Sequence, residues 1–159
     1  MFRNLGACLS PQSAFLQSLG LETLALRADR ACANTLEIAR HLEAHPKVKS
    51  VNYPGLESSP FYAMARRQFG GRAGALLTFD LASKGECFQF MDRLKLVRRA
   101  TNLHDNKTLV LHPASTIFCE YAPALKAEMG VRETMVRLAP GIEDVTDLLA
   151  DVDQALADI

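Results

Sequence analysis

No stretch of this 159-residue sequence approaches the roughly 20 consecutive apolar residues that a membrane-crossing helix needs. The opening residues, MFRNLGACLSPQ, lack the apolar segment of a secretory signal, so the cytoplasm is the expected location. Neither sign of charge is in excess. Lys and Arg total 18, as do Asp and Glu, which removes the electrostatic case for nucleic acid or an anionic membrane as a partner. The four cysteines, Cys8, Cys32, Cys87 and Cys119, stand far apart with no C-x-x-C pair, which argues against zinc and thioredoxin-like chemistry. They read as structural or incidental thiols. His41 and His45 share i, i+4 spacing, but they fall at a helix end before Pro46, a usual place for a polar histidine. No metal ligand set is expected. There is no internal repeat. The glycines of GGRAG precede a strand-like run rather than a helix, so they are no phosphate loop.

What is present is an ordinary globular composition, 48% hydrophobic and 23% charged, in a chain long enough to bury one core. SPQSAFLQSL reads as a helix with Ser10 at its N-cap and Pro11 in its first turn, stopped by Gly20. ETLALRADRACANTLEIARHLEAH is a long periodic helix ended by Pro46. PFYAMARRQF, KGECFQFMDRL and APALKAEM predict shorter helices, with Phe88, Met91 and Leu94 forming the apolar spacing of the second. KVKSVNY, ALLTFDL, LVRRAT, KTLVLH and TMVRLA read as strands. A last helix carries Val145, Leu148, Leu149, Val152 and Leu156 on one face, with its acidic residues on a solvated face. Short connections between strands and helices point to an α+β domain: a small, mostly antiparallel sheet with helices packed on one face.

Arg137 is the sharpest chemical feature. A guanidinium in MVRLA is costly among apolar neighbours unless an anion meets it, and its rigid fork matches a carboxylate. A carboxylate clamp at a strand end and a structural ion pair with Glu143 or Asp144 both satisfy that demand. Asn102 begins a polar turn, and His112 is held extended by Pro113. No nucleophile is tied to His112 by any pattern, so it reads as a polar structural contact.

Five segments in order, NLGACLSPQSAFL, GLETLALRADR, HPKVKSVNYPGL, TNLHDNKTLVLHPAST and VRLAPGIEDVTDLLADVDQAL, resemble the C-terminal domain of the cysteine and methionine metabolism group of pyridoxal-phosphate (PLP) enzymes. Asn102 together with HPASTIFCEY is most similar to its O-acetylhomoserine sulfhydrylase branch. The resemblance implies the C-terminal small domain of a fold-type I PLP enzyme over residues 21–159, with residues 1–20 as a connecting segment and helix. It implies that Arg137 binds the α-carboxylate of an amino-acid substrate, an O-acylhomoserine, that Asn102 and Leu103 belong to the same active-site turn, and that His112 and Ser115 support it. His104 stands where the family usually has Gly, which implies a different turn there. Ile117 and Phe118 depart from a common Thr and His, and Ala139 from a common Ser.

The lysine that forms the Schiff base with the cofactor belongs to the family's large domain, and none of Lys47, Lys49, Lys84, Lys95, Lys107 and Lys126 has its Ser/Thr-rich setting. The resemblance therefore implies that the PLP-binding large domain is absent from this chain, that no catalytic residue lies in it, and that no cofactor is bound covalently here. In the full-length enzyme PLP would serve, and a homo-oligomer is expected. Two alternatives stand beside the sulfhydrylase reading: a stand-alone, non-catalytic binding or assembly module, and a fragment of a cystathionine gamma-synthase or methionine gamma-lyase.

Overall fold

The computed structural model describes residues 6, 8–157 and 159; the beginning of the expected connecting segment, residues 1–5 and 7, lies outside them. The first helix, α1 (Pro11–Glu22), starts where Ser10 Oγ accepts the Ser13 amide at 3.1 Å. It does not stop at Gly20. A helix-interior glycine costs only about 1 kcal/mol against alanine, too little to end a helix by itself. The break comes at Thr23, whose φ/ψ of −103°/5° leaves the helical region. None of the described α1 residues is buried, and Phe15, Leu16, Leu19 and Leu21 all stand exposed.

Helix α2 (Leu24–Ala44) buries Ala31, Asn34, Thr35, Ile38, Ala39 and Leu42, an unbroken i, i+3, i+4 stripe. It ends at His45, directly before Pro46, as expected of a residue that proline holds out of the helical region. Then follow β1 (Ser50–Asn52), α3 (Tyr62–Phe69), β2 (Leu77–Asp80), α4 (Lys84–Arg93), β3 (Arg98–Arg99), β4 (Leu109–Leu111), a 3-10 turn at Pro113–Ser115, α5 (Pro123–Glu128), β5 (Met135–Ala139) and α6 (Val145–Ala157). Helix α4 is capped at both levels: Ser83 Oγ accepts the Glu86 amide, and the Glu86 carboxylate reaches back to the Ala82 amide.

The sheet order is β1-β2-β5-β4-β3, with every pairing antiparallel except β3 with β4. Strand alternation decides which face is core. Leu77 and Phe79 of β2 stand opposite Leu138 and Val136 of β5, and Val110 of β4 continues the row. All are buried with Ile38 and Leu42 from α2, Cys87 and Phe90 from α4, and Leu148, Val152 and Leu156 from α6. Phe79 meets Phe90 edge to face at 5.5 Å. The expected α+β sheet with helices on one face is what the chain forms. The buried stripe of α4 is Cys87, Phe90 and Met91; Phe88, assigned to that stripe from spacing, remains 38% exposed.

At the end of β2, Asp80 is buried and collects Arg132 through both Nε, at 2.8 Å, and Nη2, together with the hydroxyls of Ser50 at 2.7 Å and Thr134 at 2.8 Å. Burial alone would raise its carboxyl pKa; the hydrogen bonds from Arg132, Ser50 and Thr134, with the Arg132 charge, outweigh burial and hold it below the ordinary value. A carboxyl depressed in the folded state stabilises the fold above its unfolded pKa of about 3.9, and that stabilisation fades as pH falls through the folded pKa. Asp80→Asn is therefore expected to lower stability at neutral pH and to flatten its loss below about pH 4. Urea midpoints of both proteins across the acid range check this; parallel curves would remove Asp80 from the acid response.

Candidate functional site

Arg137 does not lie at a strand end. It is the middle residue of β5, the central strand, paired in register with Thr78 on β2 and Leu111 on β4. Val136 and Leu138 alternate into the helix-covered core, so Arg137 points from the other face. Its Nη2 donates to the backbone carbonyls of Thr101 at 3.0 Å and Asn102 at 3.1 Å. Burial lowers its pKa, yet a guanidinium so placed remains a cation at neutral pH. Among the described residues no carboxylate pairs with it.

The ion pair that the sequence offers as an alternative is not formed. Glu143 accepts the Thr108 amide at 2.6 Å and the Thr108 hydroxyl at 2.8 Å. Asp144 accepts the Thr146 amide at 2.9 Å and lies 3.5 Å from Arg30. Nε and Nη1 of Arg137 donate to nothing among the described residues. The row neighbour Thr78 has a buried hydroxyl that likewise lacks a partner there.

The loop between β3 and β4 carries Asn102 and Leu103, both exposed. His104 takes a φ of 57°, the left-handed region that glycine enters most readily. The residue type departs from glycine, but the backbone keeps a conformation that suits one. The far end of the loop is tied down. Asn106 O accepts the Ile142 amide at 3.0 Å, and Thr108 Oγ1 accepts the Gly141 amide at 2.9 Å. A Cβ on Gly141 would stand 2.4 Å from Asn106 O, so this approach requires glycine. Buried Asn34 completes the knot, donating to the carbonyls of Gly141 at 3.0 Å and Glu143 at 2.9 Å. Sequence reasoning took Glu143 for an ion-pair partner at most; its side chain is instead the acceptor that holds the start of β4. The Pro-Gly pair just before it signals a turn; that the turn meets the Asn106 backbone depends on residues far away in the chain.

His112 is 1% exposed. Its Nδ1 accepts the Ser115 amide at 3.2 Å and lies 2.8 Å from the Ser115 hydroxyl, while Nε2 lies 2.9 Å from the Glu133 carbonyl. A carbonyl can only accept, so Nε2 carries the proton and donates, which leaves the ring neutral with Nδ1 accepting. Both nitrogens are engaged in fixing the turn after β4. Cys87 is buried, its thiol pushed up to about 11 by burial and turned to the Thr134 carbonyl at 3.1 Å, a setting for a structural cysteine.

The five-strand mixed sheet with helices on one face is a fold shared with solved structures. Residues 1–157 match the model of the Cys/Met metabolism PLP-dependent enzyme family. The chain belongs to that family. It is 44% identical over 156 residues to O-acetyl-L-homoserine sulfhydrylase 1 of Thermus thermophilus, covering 98% of this chain and 37% of the relative. L-methionine gamma-lyase of Pseudomonas putida is 45% identical over 152 residues, covering 95% of this chain and 38% of that enzyme. Among solved structures, O-acetylhomoserine sulfhydrylase of Wolinella succinogenes superposes with a TM-score of 0.84 at 51% identity, over 98% of this chain and 41% of its own. The chain thus spans less than half the length of these family members.

Proposed function

We propose that this chain is the substrate-carboxylate-binding part of a PLP-dependent sulfhydrylase of the O-acetylhomoserine type. The reaction would replace the acyl group of an O-acylhomoserine with sulfur, as a step of methionine biosynthesis, in a homo-oligomer. A large domain outside this chain would be the partner that holds the cofactor. The observation that carries this reading is Arg137. It is a partly buried cation with no carboxylate partner among the described residues, and one of its nitrogens rests on the carbonyls of Thr101 and Asn102. Nε and Nη1 remain as donors for an α-carboxylate, which the fork can take in two parallel bonds. Asn102 and Leu103 would wall the same site from the loop, and His112 with Ser115 would keep the following turn in place.

The lysines of this chain do not fit the cofactor. Lys47 caps the end of α6 through the carbonyls of Leu156 and Ala157, Lys84 pairs with Glu133 at 2.7 Å, and Lys126 donates to Ala114 O at 2.9 Å. None of the six lines the two cavities that border the β3–β4 loop. The role left for this chain is orientation: a carboxylate fixed at Arg137 sets the angle of the bond to be broken, a positioning contribution to rate. A methionine gamma-lyase would use the same arginine for the same group, so the clamp does not depend on the branch. Substituting Arg137 and reading substrate affinity against melting temperature tests it.

A further inference from the structure

Between α4 and the β3–β4 edge lies a cavity of about 300 Å³ that the clamp does not use. Its floor is apolar, made by Phe88, Met91, Val110 and Leu111, and its charged lining residues are Asp92 and Arg99. These two side chains form an ion pair, and at 67% and 61% exposure they stand at the mouth. We infer that this cavity binds a free, neutral α-amino acid with an apolar side chain, as a second site distinct from Arg137.

Three features narrow the ligand. The volume is at the small end for a ligand site, which suits a single amino acid. An exposed ion pair contributes little to the fold and opens at small cost, so both charges can turn to a ligand. One positive and one negative group at one mouth complement a zwitterion: Arg99 receives the carboxylate through its fork, and Asp92 receives the ammonium. A phosphate or a polyamine would leave one of the two charges unmatched and the floor without an apolar partner, which selects against it. His112 also lines the cavity, but both its ring nitrogens are already engaged, so the wall makes no competing polar demand. Thr101 lines the cavity too, and its carbonyl is the one that Arg137 holds. Occupancy is therefore felt at the clamp loop, although Arg137 is not part of the lining.

The test is a titration of the 159-residue chain with L-norleucine, followed by amide shifts in nuclear magnetic resonance. Saturable shifts at Phe88, Arg99 and Thr101 are expected, with a dissociation constant of roughly millimolar order. Asp92→Ala and Arg99→Ala, both at exposed positions, should each weaken binding about tenfold or more, and N-acetyl-L-norleucine, which lacks the ammonium, should bind as poorly to the unchanged protein. Arg137→Ala, which frees the Thr101 carbonyl but removes no lining residue, should change the constant far less than Asp92→Ala or Arg99→Ala, which separates this site from the clamp. Absence of saturation, binding indifferent to Asp92→Ala and Arg99→Ala, or binding abolished by Arg137→Ala would each overturn the inference.

Discussion

Asp151→Ala is expected to destabilise the domain by about 3–5 kcal/mol, a large share of the roughly 5–15 kcal/mol that holds a domain folded. Asp151 is 6% exposed on the inner side of α6. Its carboxylate accepts three successive backbone amides, Lys95 at 2.8 Å, Leu96 at 2.9 Å and Val97 at 2.9 Å, where the chain leaves α4 for β3. Gln154 donates to the same carboxylate at 3.1 Å and to the Arg93 carbonyl at 2.8 Å, tying the two helices together. Alanine leaves three amides without their acceptor, beside Leu148, Val152 and Ala155, which are fully enclosed. Asp151→Asn keeps one acceptor oxygen but turns an NH2 group toward donors, so an intermediate loss is expected. Urea unfolding of the three proteins, compared at one pH, gives the order. A loss under about 1 kcal/mol for alanine would mean that water reaches these amides.

The second large effect concerns binding rather than folding. In the enzyme that includes the cofactor-binding region, Arg137→Ala is expected to weaken capture of the amino-acid substrate by roughly 2–4 kcal/mol, or about 30- to 1000-fold. Arg137→Lys should recover little of it, because an ammonium cannot make the two parallel bonds of a guanidinium. Cofactor absorbance should be unchanged in both variants. Stability should fall only slightly, since Arg137 gives up two backbone carbonyl contacts and no ion pair. Melting temperature and KM measured on the same preparations separate the two roles. An unchanged KM with a large drop in melting temperature would retire the clamp.

The contrast between these two residues shows what the sequence could express. The sequence showed a costly cation among the apolar neighbours of MVRLA; the structure adds that alternation puts Val136 and Leu138 in the core and Arg137 on the opposite face. The pattern does not say where a strand stops, so Arg137 was expected at an end of β5 when it is at the middle. Asp151 was hidden by its type. Acids in a last helix usually face water, but Leu148, Asp151, Val152 and Ala155 follow an i, i+3, i+4, i+7 stripe, and an acid inside such a stripe marks a buried acceptor. The amides it meets lie more than fifty positions earlier in the chain, and no local pattern names them. The knot of Asn34, Thr108, Gly141 and Glu143 is of the same kind: each residue is ordinary alone, and the close approach at Gly141 appears only when three distant segments meet. Phe88 and Gly20 were misplaced by weaker local rules, one a spacing choice between Phe88 and Phe90, the other a glycine too inexpensive to break a helix.

Helix α1 leads to a different expectation, about time rather than energy. None of its described residues is buried, and Pro11–Glu22 contributes no residue to the core cluster. A helix of that length is marginal by itself in water. In this chain alone, its amide hydrogens should exchange with solvent at rates governed by local fraying, while those of the central strand wait for the whole domain to open. The two groups of amides would then respond to different events: Asp151→Ala should hasten exchange in β5 and leave α1 almost as it was.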